Sequence, residues 1–125
     1  MQKQVAGTIM VVDEDGARFL VKQVDHHYYF DSFDVMVDHT PLATVLNKLR
    51  QIGLDVDQLR LFDSVIAEID QEKVALFVFN QLTLTPKVES VFAKAGLQFV
   101  PASQLHQLLE RVRVNTEPMF ENLSK

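Results

Sequence analysis

The sequence predicts an α+β fold, a mixed β-sheet sandwiched by helices, and three observations carry that expectation. Apolar runs rich in β-branched and aromatic residues come in pairs joined by short acidic turns. Segments with a 3.6-residue apolar period follow them. Pro and Gly stand mainly at the borders of those helical segments rather than inside them. In chain order the elements run β-β-β-α-β-β-α-β-α, which suits helices packed on the faces of one sheet.

Gln4–Val12 and Ala17–Val24 flank Asp13-Glu14-Asp15-Gly16, whose Asp-Gly step suits a tight hairpin turn. Tyr28 to Val37 alternates only in part and changes phase near Asp31-Ser32, so a strand that enters a loop or bulge is expected. The helix from Thr40 to Gly53 is the best-bounded element: Thr40 can cap, Pro41 fits the first turn, and Gly53 fits the left-handed residue past the end. Within it Leu42, Val45, Leu46 and Leu49 recur at helical spacing and should face the core. Asn47, Arg50 and Gln51, at i, i+3 and i+4, should share a polar face.

Leu61–Ile69 and Lys73–Leu84, separated by Asp70-Gln71-Glu72, read as a second hairpin. Thr85-Pro86 opens a helix with Val88, Val91, Phe92 and Ala95 inward and Gly96 at its close. A short strand, Leu97–Val100, leads through Pro101 to a last helix with Leu105, Leu108, Leu109 and Val112 on one face. The division is one domain, 1–112, followed by a polar C-terminal tail, 113–125, that sustains no period and is expected to be partly disordered.

With 125 residues, 47% of them hydrophobic, the chain can fill one core. Its 12 Lys and Arg against 17 Asp and Glu give a net charge of -5, so no basic surplus exists to neutralise a phosphate backbone, and nucleic acid is not an expected partner. The lack of cysteine excludes disulfides and thiolate chemistry and fits a reducing compartment. No apolar run approaches the roughly 20 residues that cross a bilayer, and Met1 to Val5 does not start a signal segment. The expected location is cytoplasmic, with no membrane partner.

Four local patterns have a chemical reading beside a plain one. Asp25-His26-His27 is similar to the Asp-His-His signature of a phosphoesterase superfamily, but the further aspartate motifs of that metal site are missing, so an exposed polar connection between strands is expected. Asp31, Asp34, Asp38 and His39 offer oxygen and imidazole ligands of the right type for a divalent ion. The plainer reading is solvated loop carboxylates, with Asp38 and Asp34 favoured by the positive end of the following helix. Tyr28, Tyr29 and Phe30 suit core packing better than stacking on a ligand. His106 reads as a surface residue, and no Ser-His-Asp or Gly-rich phosphate-loop pattern is visible.

The layout as a whole, two hairpins around a third strand and a helix ending in Gly-Leu, then a strand-Pro-helix close, resembles the Nudix hydrolases. Their signature is G-x5-E-x7-R-E-U-x-E-E-x-G-U, where U is a bulky aliphatic residue. Setting its last two positions on Gly53 and Leu54 puts Ser32 on the first Gly, Asp38 on the first Glu and Leu46 on the Arg. Asn47, Arg50 and Gln51 then fall on the three helical glutamates, and Lys48 stands where an aliphatic residue is expected, with Leu49 carrying the apolar stripe instead. Phe99-Val100-Pro101 before an amphipathic helix is also similar to the family's ending. The resemblance covers most of residues 4 to 112 and rests on layout more than on motif.

That resemblance implies a Nudix-like fold and, in the family, divalent metal on the helical glutamates, where it neutralises a diphosphate and activates water. Magnesium takes hard oxygen ligands, carboxylates above all. Asn47 and Gln51 offer neutral amide oxygens, and a guanidinium about 4 Å from a cation costs about 4 kcal/mol per unit of charge at an effective dielectric of 20. The whole segment from Thr40 to Gly53 holds no Asp or Glu. The expected function is therefore a non-catalytic Nudix-like binding or interaction module with a degenerate Nudix box and no cofactor. Its partner would be a protein or a small anionic, nucleotide-like ligand met by Asn47, Arg50 and Gln51, with Arg50 supplying the charge of the metal. Two alternatives stay open. One is a divergent hydrolase of nucleoside diphosphate-type substrates that holds Mg or Mn on Asp31, Asp34 and Asp38, or on Glu68 and Glu72. The other is a structural or self-associating protein, a homodimer for instance, joined through strand edges.

Overall fold

The central strands carry apolar side chains on both faces, and burying both faces requires a layer on each side. The computed structural model describes residues 4–69, 72–109, 112–114 and 117–118. Its elements are β1 (Gln4–Asp13), β2 (Gly16–Val24), β3 (His27–Tyr29), β4 (Asp31–Asp34), α1 (Pro41–Gln51), β5 (Arg60–Ile69), β6 (Glu72–Asn80), α2 (Pro86–Lys94), β7 (Leu97–Pro101), α3 (His106–Leu109), β8 (Val112–Val114) and β9 (Glu117–Pro118). Short 3-10 turns at Val56–Gln58 and Ala102–Gln104 join them. The expected mixed α+β architecture is present.

The sheet runs in the order β3-β2-β1-β6-β5-β8-β9, with β4 also on β1 and β7 also on β2. Its centre is a parallel pair, β1 with β6, in register from Val5 opposite Ala75 to Ile9 opposite Phe79. β1 has two antiparallel partners: β4 along Gln4–Gly7 and β2 along Met10–Asp13. Between them, at Thr8 and Ile9, the sheet forks. The Thr8 hydroxyl, buried there, donates to the Leu20 carbonyl at 2.8 Å and so ties β1 to β2 at the fork.

On one face Val5, Ile9, Leu20 and Phe79 pack under Val45 and Leu49 of α1 and Phe92 of α2. On the other Phe19, Val21, Phe30, Val65, Leu76 and Val78 pack with Leu105 and Leu108 around α3. Helix α1 lies very close to β1. A Cβ on Gly7 would come 2.5 Å from Val45 Cγ1, so glycine is what permits this approach.

Several expectations are corrected. The third strand is two strands: β3 pairs with β2 and β4 with β1, and the chain swings between them at Phe30. β6 stops at Asn80 and not at Leu84, because Gln81 takes a left-handed φ of +69. Ala95 is the exposed cap residue of α2 and not an inward one. The last helix spans only His106–Leu109, after a 3-10 turn, and Val112 belongs instead to β8, opposite Ala67 of β5. Sequence reading foresaw neither β8 nor β9. Asp70 and Gln71 of the second turn, and most of the tail, lie outside the described residues.

Candidate functional site on helix α1

Helix α1 forms where the sequence punctuates it. Thr40 Oγ1 accepts the Ala43 N–H at 3.1 Å, Pro41 occupies the first turn, and Gly53 ends the helix at φ +103. Thr44, fully buried, works twice: its hydroxyl donates to the Thr40 carbonyl at 3.0 Å and accepts the Met36 N–H at 3.1 Å. The hydroxyl thereby pins the loop after β4 to the helix.

The three polar positions foreseen for this helix have different surroundings. Asn47 is half-buried and its amide donates to the Met36 thioether at 3.2 Å, while Arg50 and Gln51 are exposed. Lys48, at the expected aliphatic position, is half-buried and turns toward β4, with Nζ 5.9 Å from the Phe33 ring centroid. At about 100° per residue Lys48 and Arg50 lie on opposite flanks of the helix. The lysine serves the sheet side and the arginine faces solvent.

As a donor set for a divalent ion these residues do not fit. One amide is engaged with sulfur, the other is a neutral surface group, and the guanidinium repels a cation. The second candidate set is dispersed. Asp31 is near Lys22, its Oδ1 3.8 Å from Nζ; Asp34 accepts from Gln4 Nε2 at 3.2 Å; Asp38 sits on an exposed turn at φ +62. His39 Nδ1 lies 2.9 Å from the Val37 carbonyl. Glu68 and Glu72 stand at the closed end of the second hairpin, opposite Lys73 and Ile69. Among the described residues no three His, Cys, Asp or Glu side chains gather in a way that could hold a metal.

Asp25 and His26, both at positive φ, make the two-residue turn between Val24 and His27. They are the exposed connection the sequence suggested. Phe30 is buried and Tyr28 packs against the core, as aromatics in a strand usually do.

Sequence reading missed one constellation. Gly7, Ile9, Leu20, Phe33, Val45, Leu49 and Leu97, with Thr8 and Asp31, line a narrow crevice under α1 of about 10 Å³, room for no more than a water molecule. Neither Asn47, Arg50 nor Gln51 lines it. Asp31 is its charged wall. Burial raises the Asp31 pKa above its ordinary 3.8, and the charges of Lys22 and Lys48 pull it down without cancelling that effect. The signal was present in Lys48, a cation where the resemblance expects an aliphatic residue, and in the phase change at Asp31.

The chain matches no protein-family profile and no curated protein. Two solved structures are similar to it in fold. The Ap4A hydrolase of C. elegans superposes with a TM-score of 0.55 at 11% identity, over 86% of this chain and 86% of that one. NrtR of Shewanella oneidensis superposes with a TM-score of 0.55 at 13% identity, over 86% of this chain and 55% of that one. These likenesses support the Nudix-like fold that the layout of the sequence implied.

Proposed function

We propose that this chain is a Nudix-like binding module that does not carry out metal-dependent hydrolysis and that takes a small anionic, nucleotide-like ligand against the exposed polar face of α1. One observation carries the reading. Where the resemblance places three metal-binding carboxylates, this helix has an amide held by Met36, an exposed guanidinium and an exposed amide. Arginine meets phosphate or carboxylate with a planar fork and a permanent charge, so an anion is the partner this surface suits. Since the C. elegans neighbour is by name a hydrolase of Ap4A, compounds with a phosphate chain are the first to try.

The test is calorimetric titration with ADP and with Ap4A, each with and without magnesium. Binding is expected to be independent of magnesium and to weaken about tenfold in Arg50→Ala, the scale of one charge-assisted hydrogen bond. Magnesium- or manganese-dependent release of phosphate from such compounds, lost in Asp38→Ala, would establish the hydrolase alternative instead.

Self-association is favoured by a separate observation. On β5 Leu61, Phe62 and Ile66 are 46%, 38% and 37% exposed, and among the described residues β8 covers the strand only at Ile66 and Ala67. Open strand edges with apolar side chains pair readily. Light scattering showing a monomer across the accessible concentrations would reject that reading.

A further inference from the structure

The parallel pair at the centre of the sheet comes apart at its C-terminal end. β1 and β6 are in register from Val5 opposite Ala75 to Ile9 opposite Phe79, and beyond that point they part. β1 runs on along β2 to Asp13, while β6 stops at Asn80 and the left-handed φ of +69 at Gln81 turns the chain away. Between the two arms lies a cleft of about 320 Å³, lined by Met10, Val11 and Val12 on one side and by Asn80, Gln81 and Leu82 on the other. Successive side chains of a strand point to opposite faces, so three consecutive residues meet one cleft along the strand's edge. The cleft is therefore a gap in the plane of the sheet, and among the described residues no strand pairs with β1 on that side past Ile9.

The walls of this gap offer hydrogen bonds without charge. A strand edge presents the N–H and C=O groups of alternate residues, and the facing wall carries two side-chain amides that both donate and accept. Leu82 is buried and Val12 is 65% exposed, so the lining runs from the core to solvent. Where the gap meets the turn between β1 and β2 it is acidic. Asp13 is held by Arg18 at 3.3 Å, but Glu14 and Asp15 are exposed and, among the described residues, have no cation beside them. Arg60, across β6, is turned to the Asp57 and Leu59 carbonyls at 3.2 and 2.9 Å.

We propose that this gap binds an extended basic peptide segment of a partner protein, inserted as a strand beside Met10–Val12, with apolar residues in the cleft and a lysine or arginine at the acidic turn. An extended backbone carries donors and acceptors along both of its edges. One edge completes the hydrogen bonding of β1, and the other meets the Asn80 and Gln81 amides, which is sheet augmentation. Other classes answer only part of the site. A small anion finds no cation in the lining and two carboxylates beside it; a divalent ion finds amides but no carboxylate in the lining. A purely apolar molecule leaves the strand edge and both amides without partners. A second copy of this chain, with a net charge of -5 and the same acidic turn, suits the gap less than a basic segment does.

The experiment is an NMR titration of the full chain with the capped peptide acetyl-Lys-Val-Thr-Val-Lys-amide, whose lysines at both ends serve either strand direction. Saturable shifts are expected at the amides of Met10, Val11, Val12, Glu14, Gln81 and Leu82. The same peptide N-methylated at its threonine and the following valine loses one donor from each edge and should bind at least about tenfold more weakly. Glutamate in place of both lysines should weaken binding at least about fivefold. Gln81→Gly keeps the left-handed turn and removes one amide, at a cost of about threefold. Glu14→Lys, in a solvated turn, should weaken the lysine peptide and strengthen the glutamate one. No saturation by the lysine peptide at millimolar concentration overturns the proposal, and so does equal binding of the N-methylated or the glutamate peptide. Shifts at Met10–Val12 that grow with the concentration of the chain alone would assign the gap to a second copy and likewise overturn it. Arg50 takes no part in these outcomes, so they are separate from the binding of ADP or Ap4A at α1.

Discussion

Gly7 and Asp31 lie 24 positions apart in the chain and are cross-strand partners in β1 and β4. Each is under a constraint that only this neighbourhood imposes. At Gly7 a methyl would overlap Val45 Cγ1, and a β-branched side chain buried on a helix has no free rotamer to retreat to. Gly7→Ala is therefore expected to lower stability by about 1–3 kcal/mol, the usual scale of overpacking, with partial rescue by Val45→Ala in the double variant. Chemical denaturation of the four chains measures both effects, and simple additivity would show that the contact is not the cause.

At Asp31 the sign of the pH effect follows from the direction of its shift. The folded state raises its pKa above 3.8, so its contribution to stability is complete below that value and is lost as pH rises through the raised one. Asp31→Asn should thus be at least as stable as the parent at neutral pH, with the difference closing in acid. Thermal melts across that range test it, and an asparagine variant clearly weaker at neutral pH would show that the Lys22 pair outweighs burial.

At the scale of the element, α1 couples its own capping to the loop that precedes it. Thr44 accepts the Met36 N–H while donating to Thr40, and the same loop carries the Met36 thioether that meets Asn47. Thr44→Val keeps the volume and removes the acceptor, leaving the Met36 N–H unpaired at a cost of about 1–3 kcal/mol. Faster amide exchange at Met36 and His39, with the rest of α1 less affected, is the expected signature. The bounds of this helix were legible because Thr, Pro and Gly act within a few bonds of where they stand. The division of its polar residues was not legible. Helical spacing alone groups Asn47, Arg50 and Gln51, but where the loop after β4 lies decides that Asn47 is half-buried against Met36 while the other two are exposed.

For the whole molecule, both cores share the sheet, with Val5, Ile9 and Phe79 on one side and Ala6, Leu76 and Val78 on the other. Neither layer can persist without the other. A single cooperative unfolding transition is expected, with the amides of Val5–Ile9 and Ala75–Phe79 exchanging last, since they lie in the parallel pair at the centre. Two resolved transitions, or earliest exchange there, would contradict this. Among the described residues no helix is long and apolar enough to cross a membrane.

The turns and helix ends, the alternation of the strands and the acid-free character of the Thr40–Gly53 segment belong to the sequence itself. Each depends on residues close together in the chain, through backbone sterics, local hydrogen bonds or side-chain period. Tertiary structure decided what depends on distant partners: the swing at Phe30 from β2 to β1, the strand β8 laid against β5, and the meeting of Lys22, Asp31 and Lys48 over one recess. The swing left only a change of phase near Asp31-Ser32 in the sequence, because the partners on its two sides, β2 and β1, are set by pairing with distant strands. In the sequence Lys48 stood only as a cation where the resemblance expects an aliphatic residue. Only the fork in the sheet, which brings β2, β4 and α1 together, gives that lysine a carboxylate and a ring to face.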